Sequence, residues 1–291
     1  MSLYIASINS GSNGNCYYAG NGREAVLIDA GISCRETERR MRRLGLDITT
    51  VKAIFVSHEH IDHIRGVESL STKYGLPVYI NQGTYKGGGL VIPQSRLNDI
   101  RHHQAVKIGA LSVLPFTKHH DAAEPMSFTV THKQITLGVF TDIGHACSNL
   151  RHHFSRCHAA FLEANYDEKM LDQGNYPWHL KRRISSNTGH LSNHQALELF
   201  LNHRGPQLSH VFLSHLSREN NDPELAAALF CEHAEGVNIS VASRYHESEV
   251  FHLNGDLFKT ESKDRPSMRF TKHVKPEPDP QQISLFNNEM S

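Results

Sequence analysis

The stretch Ala53-Ile54-Phe55-Val56-Ser57-His58-Glu59-His60-Ile61-Asp62-His63 decides how this chain is read. Residues 52–56 read as a buried strand. Four ligand-type side chains, His58, His60, Asp62 and His63, then fall within six positions. In an extended segment alternate residues point the same way, so His58 and His60 face one point together. Asp62 and His63 turn toward a second point. One zinc ion would use three of these groups, and four close ligands favour two ions. The competing reading is a solvated, histidine-rich loop. The chain has 22 histidines, so chance pairs are common, but this density at the mouth of a strand is not.

Composition narrows the field around that run. Across 291 residues, Lys+Arg 30 balances Asp+Glu 30, which excludes a globally basic nucleic-acid wrapper but not a local basic patch. No apolar run nears the roughly 18 residues of a membrane span, so no membrane association is expected. The start, MSLYIASINS, lacks the charged and apolar regions of a signal peptide. Five cysteines, an odd number without a C-x-x-C pair, read as reduced thiols that bind no metal. They indicate a cytoplasmic protein.

Outward from the run, strands and helices alternate. Leu3–Ile8, Cys16–Ala19 and Ala25–Ile28, punctuated by Gly11, Gly14, Gly20 and Gly22, suggest an antiparallel meander. Ser33 with Glu36 forms a capping box for a helix stopped by Gly45. A second helix is expected over 64–74, closed by Gly75, before a strand at 78–80. Residues 106–108, 111–116, 126–132, 135–140, 159–162 and 211–213 read as strands, with a helix near 145–153. Ser192 with Gln195, and Asp222-Pro223-Glu224, open two more helices. Strands gathered at the start of each half predict two sheets with helices outside. The echo of AIFVSHEH in HVFLSHLS suggests a duplicated design. Beyond about residue 258 apolar residues thin out, and 259–291 is expected to be a disordered tail behind a hydrolase domain of residues 1–258.

The H-x-H-x-D-H run resembles the signature of the metallo-β-lactamase superfamily. That resemblance implies an α/β fold, a four-layer αβ/βα sandwich with metals at the sheet edges. By that likeness Asp29, in Ile28-Asp29-Ala30-Gly31, is a supporting aspartate. Asp142, in Phe140-Thr141-Asp142-Ile143-Gly144, bridges two ions, and His215, in Leu213-Ser214-His215, is the last histidine. The third histidine is His119 or His120. Spacing does not decide between them, and only the family's H-D-A pattern favours His120. The implied ligand sets are His58, His60, His120 and Asp142 for one ion, and Asp62, His63, Asp142 and His215 for the other. Taken alone, Asp142 reads equally as a turn or cap and His215 as a core histidine.

Four further segments, SGSNGN (10–15), LEANYD (162–167), GHLSN (189–193) and HLSRENN (215–221), occur together. The set resembles the YycJ/WalJ group of metallo-β-lactamase-fold nucleases, related to tRNA 3′-processing hydrolases. The likeness implies phosphodiester hydrolysis, most specifically a DNA exonuclease in repair or replication, with two divalent ions, zinc or manganese. DNA is the implied substrate, with RNA open. Asp62 and His190 are the implied catalytic residues, His190 protonating the leaving group. Glu163 is the carboxylate that orients a histidine. Asn165, Arg218 and Asn220 are candidates for supporting or substrate contacts, and Lys181-Arg182-Arg183 for a phosphate seat. His190 reads otherwise as packing beside the Ser192 cap, Asp167 as a helix cap and Arg218 as a surface residue. The segment 86–97 has no implied role and reads as a flexible loop. Two rivals stand: a hydrolase of a small thioester, lactone or cyclic phosphodiester, and a non-enzymatic metal-binding scaffold. At the far end, Gln282-Ile283-Ser284-Leu285-Phe286 resembles the pentapeptide by which bacterial polymerases and repair proteins bind the sliding clamp.

Overall fold

Two seven-stranded sheets pack face to face in the computed structural model, which describes residues 2–254. The expected tail, 259–291, and its Gln282–Phe286 motif lie outside the described residues. The first sheet runs β14 (Phe251–Asn254), β1 (Ser2–Asn9), β2 (Cys16–Gly20), β3 (Ala25–Ile28), β4 (Val51–Phe55), β5 (Val78–Ile80), β6 (Leu97–Asp99). The second runs β13 (Asn238–Val241), β12 (His210–Ser214), β11 (Ala159–Glu163), β10 (Ile135–Phe140), β9 (Met126–His132), β8 (Leu111–Thr117), β7 (Val106–Ile108).

Strand alternation sorts side chains into three cores. On β3, Val26 and Ile28 face the other sheet and Leu27 faces outward. Between the sheets Tyr17 meets Phe161 at 4.8 Å and Phe55 meets Phe128 at 5.8 Å, centroid to centroid. Outside the first sheet, Met41 of α1 (Cys34–Arg43) and Leu70 of α3 (Val67–Tyr74) cover Leu27 and Ile54. Outside the second, Phe154 of α5 (Ser148–Phe154), Phe200 of α8 (Asn193–His203) and Phe230 of α9 (Pro223–Cys231) cover Leu162 and Leu213. Helix, sheet, sheet, helix is the expected αβ/βα sandwich. No described helix is long and apolar enough to cross a membrane.

Local expectations fare unevenly. Ser192 and Gln195 form a complete capping box. Ser33 accepts from the Glu36 N–H at 3.2 Å, but the Glu36 carboxylate turns to Arg39 and Arg40, so only half a box forms there. The helix expected over 64–74 starts only at Val67, as α3, and a separate short helix, α2 (Ile61–Ile64), precedes it. Gly66 marks the break. Its N–H donates to the Ala30 carbonyl at 2.7 Å, and a Cβ there would lie 2.1 Å from the Ile32 carbonyl oxygen. The break brings the ligand turn against the loop that follows β3, where Asp29 and Ala30 lie. The expected loop at 86–97 is bounded by α4 (Gln82–Gly87) and β6, and β13 and β14 have no counterpart in the sequence reading.

The two sheets share one pairing pattern. Reading from β14 and from β7, three antiparallel pairings precede three parallel ones. By sheet position β4 therefore corresponds to β11, and β12 to β5. The duplicated design is real, but the Ser-His echo of β4 and β12 is not its trace.

Candidate metal centre

The parallel strands of both sheets deliver their C-terminal ends to one cleft. From β4 comes Ser57-His58-Glu59-His60, whose imidazoles stand 4.6 Å apart by ring centroid. His120 joins them, 4.9 Å from His58 and 5.1 Å from His60. These three form one cluster whose nitrogens converge. Asp62, His63 and His215 form another, and Asp142 groups with His58 and His63 on one side and with His215 on the other. All seven residues expected as ligands thus converge. His119 does not: it is exposed, and its ring lies tilted against that of His145 at 4.3 Å between centroids.

Carboxylates fix which imidazole nitrogen faces inward. Buried Asp29 accepts from the Ser57 N–H at 2.7 Å and the Ser57 hydroxyl at 2.8 Å, and it binds His63 Nδ1 at 2.8 Å. Glu163, at the end of β11, accepts from the N–H groups of Asp142 (3.1 Å), Ile143 (2.7 Å) and Leu191 (3.1 Å). The same carboxylate binds His190 Nδ1 at 2.9 Å and His215 Nδ1 at 2.8 Å. His120 Nδ1 meets the Gly189 carbonyl at 3.0 Å. Donating Nδ1–H outward leaves Nε2 as the inward lone pair, the arrangement metal-binding histidines use.

Three inward atoms are left buried and without a hydrogen-bond partner: His120 Nε2, His215 Nε2 and Asp142 Oδ2. Asp142 Oδ2 lies 3.1 Å from His63 Nε2 but makes no aligned bond. His215 Nε2 is 3.7 Å from Asp62 Oδ2, too long for a hydrogen bond. An unsatisfied buried polar atom costs about 1–3 kcal/mol. Divalent cations held by these residues would satisfy all three, and nitrogen and oxygen donors without thiolate suit zinc or manganese. Backbone strain concentrates here too. Asp29, Asp142 and His215 all adopt the left-handed region, at φ of 60°, 55° and 56°.

Electrostatics match this account. Burial would raise the Asp142 carboxyl, but His215 and His63 hold it well below the usual carboxylate range. Burial lowers His120 to about 4, with Lys118 and His190 adding to the fall. Burial would also lower His215, yet Asp142, Asp62 and Glu163 raise it to about 10. Without a cation those carboxylates hold protons on imidazoles; a cation takes the protons' place.

Other expected residues sort by contact. Asn165 donates to the His215 carbonyl at 2.7 Å. Asp167 caps α6 (Glu168–Gln173) through the Met170 N–H at 2.9 Å. Arg218 is exposed, 3.4 Å from Glu219, and the Asn220 backbone carbonyl accepts from the Asp167 N–H at 2.8 Å, tying its loop to the start of α6. Neither joins the cluster. Three residues were missed. Asn15, inside SGSNGN, binds Asp62 Oδ2 at 3.1 Å and His63 Nε2 at 3.0 Å. Glu59, inside the histidine run, accepts from the Ala123 N–H at 2.7 Å and so ties that run to the His120 loop. Buried Lys118 donates to the Thr141 carbonyl at 2.7 Å, and a lone lysine after a strand gives no signal in sequence. All five cysteines are free, and none belongs to a ligand cluster among the described residues.

Orphaned ligand atoms, oriented imidazoles and the αβ/βα sandwich define the class: a metal-dependent hydrolase that binds divalent cations. The family profile described as Beta-lactamase superfamily domain matches residues 24–215. The exodeoxyribonuclease YycJ of Bacillus anthracis is 34% identical over 256 residues, 86% of this chain and 96% of that protein. The exodeoxyribonuclease WalJ of Streptococcus pneumoniae is 31% identical over 222 residues, 75% of this chain and 82% of the relative. The metallo-beta-lactamase fold protein YhfI of Bacillus subtilis superposes with a TM-score of 0.65 at 14% identity, covering 87% of this chain and 100% of that one. This chain belongs to the metallo-β-lactamase-fold family, within the beta-lactamase superfamily.

Proposed function

We propose that this chain is a two-metal phosphodiesterase, an exonuclease acting on DNA in repair or replication. One observation carries the metal count: Asp142 groups with His58 and His63 on one side and with His215 on the other. The assigned sets are His58, His60, His120 and Asp142 for one ion, and Asp62, His63, Asp142 and His215 for the second. When bound, zinc or manganese supplies a water ionised near neutral pH and positive charge for the phosphoryl oxygens. The relatives' names, exodeoxyribonuclease, support DNA as substrate.

The chain's own residues have separate tasks. Asp29 and Glu163 hold His63, His190 and His215 in one tautomer. His190 Nδ1 is committed to Glu163 at 2.9 Å and its side chain is 21% exposed, which leaves Nε2 as the ring nitrogen free of Glu163. We assign it protonation of the leaving oxygen. The Gln282–Phe286 segment is proposed as a sliding-clamp ligand on its sequence alone, and a cytoplasmic location on the reduced thiols.

The test is degradation of end-labelled DNA by the full chain with zinc or manganese, against EDTA and against a thioester and lactone panel. Metal-dependent loss of DNA, abolished by Asp62→Ala with the fold retained, is the expected result. Thioester turnover without DNA cleavage would replace this reading with the small-substrate one.

A further inference from the structure

Helix α7 (Trp178–Ile184) has no buried residue, so it contributes nothing to the sandwich cores. Its sequence, WHLKRRI, holds three basic residues and no acidic one. The chain as a whole is neutral, so this concentration of charge is local. Trp178 is the chain's single tryptophan, and it is 75% exposed. An exposed tryptophan on a basic, unburied helix has no part in holding the fold.

One end of this helix is fixed to the metal centre. The His190 N–H donates to the Ile184 carbonyl at 2.8 Å. Gly189, whose carbonyl orients His120, packs so closely that a Cβ would lie 2.2 Å from the Ile184 oxygen. Arg183 is paired with Asp121 at 2.6 Å, next to His120. The basic groups further along are uncommitted to carboxylates. Lys181 donates only to the Asp172 backbone carbonyl, and Arg182 is exposed, with no ion pair among the described residues. From Ile184 back to Trp178 the helix rises about 9 Å at roughly 1.5 Å per residue. With bases stacked at about 3.4 Å per step, as in a duplex strand, that length spans two to three nucleotides.

Resting on the nuclease reading above, we propose that α7 is the docking element for a single DNA strand entering the metal centre. Trp178 stacks on a base two to three nucleotides from the scissile bond, and Lys181 and Arg182 contact the intervening phosphates. Stacking tolerates any base because every base has a π-face, and phosphate contacts carry no sequence information. The strand is therefore held without sequence preference. Asp29, Asp142 and Glu163 are buried at this centre and Asp62 is partly exposed beside them, so a positive helix next to these carboxylates helps draw in a polyanion.

The experiment titrates the metal-loaded full chain with a phosphorothioate single strand of about 12 nucleotides, within the span such sites cover. Tryptophan fluorescence reports Trp178 alone, and anisotropy of a labelled strand reports binding independently. Saturable quenching is expected, with the same midpoint by both signals. Trp178→Ala should weaken binding roughly 5- to 20-fold, with Trp178→Phe between it and the parent. Lys181→Ala with Arg182→Ala should flatten the dependence of log affinity on log salt by about 1.4, two phosphates at about 0.7 each. Unchanged circular dichroism would exclude unfolding as the cause. No binding, binding without quenching, or Trp178→Ala within twofold of the parent would each overturn the proposal. Cleavage of DNA without these signatures sinks only α7's role. Binding with them but without cleavage sinks only the nuclease reading.

Discussion

Replacing Glu163 by glutamine keeps the side chain's shape and removes half of its capacity to accept. The carboxylate takes two donors on Oε2, from Ile143 and Leu191, and three on Oε1, from Asp142, His190 and His215. If the glutamine oxygen stays with Ile143 and Leu191, its NH₂ group faces three donors. The Asp142 N–H cannot turn away, and leaving one buried amide unpaired costs about 1–3 kcal/mol. His215 escapes only by giving up the Nδ1 proton, which leaves a proton on Nε2, the atom reserved for a cation. Loss of such an orienting partner lowers metal affinity about 10- to 100-fold, or about 1.4–2.7 kcal/mol. Two measurements on the full chain check this. Competition against a chromophoric chelator near neutral pH should show the affinity loss. Thermal unfolding of the metal-free protein should show a midpoint roughly 2–12 °C lower, at about 2–4 °C per kcal/mol for a chain this size. Affinity within twofold of the parent, with an unchanged midpoint, would refute the claim that Glu163 sets the His215 tautomer.

Other expectations follow from single side chains. His120→Ala should lower bound metal per chain, measured by elemental analysis, while His119→Ala should leave it unchanged; the reverse would exchange their roles. Burial raises the Cys16 and Cys157 thiols far above their ordinary value, and burial with the neighbouring Glu38 raises Cys34 to about 11. Iodoacetamide near neutral pH should therefore leave Cys16 and Cys157 unmodified until the chain is denatured, and mass mapping that finds either alkylated in the native protein contradicts this. Burial, with His152 and His103 nearby, lowers His153 from 6.5 to about 4. The unfolded chain then binds the proton first, so stability falls as pH drops from 6.5 toward 4, by at most about 1.4 kcal/mol per pH unit. Denaturant unfolding of His153→Gln should lack this slope relative to the parent. A peptide of residues 278–291 should bind purified sliding clamp, and no binding at about 100 μM would end that proposal.

How far the sequence could be read depended on whether the ligands are neighbours in the chain. His58, His60, Asp62 and His63 lie close enough in the chain that their spacing alone points to two inward-facing sets. Asp142 and His215 come from separate strands, and each alone looks like a turn or a core residue, so only the family likeness singled them out. The left-handed backbone shared by Asp29, Asp142 and His215 leaves no local signature, because these residue types elsewhere are ordinary strand-end residues. Periodicity likewise could not see the break at Gly66, which is imposed by a carbonyl from the loop after β3. Lys118 has its meaning only beside the Thr141 carbonyl, which follows β10, a distant part of the chain.

The misread echo carries the deeper lesson. Matching Ser-His pairs after β4 and β12 suggested duplication, yet the repeated feature is a brace between adjacent strand ends. In the first sheet the Asp29 carboxylate, after β3, accepts the Ser57 N–H after β4. In the second, the Glu163 carboxylate, on β11, accepts the Asp142 N–H after β10. The strands correspond by position and the direction of the bond is reversed. The same need, pinning two parallel strand ends beside a left-handed aspartate, is met by different residues in the two halves. A duplication conserved in hydrogen-bond geometry and not in residue type has no pattern that spacing can reveal. That is why the first half's ligands were legible as chemistry and the second half's only as resemblance.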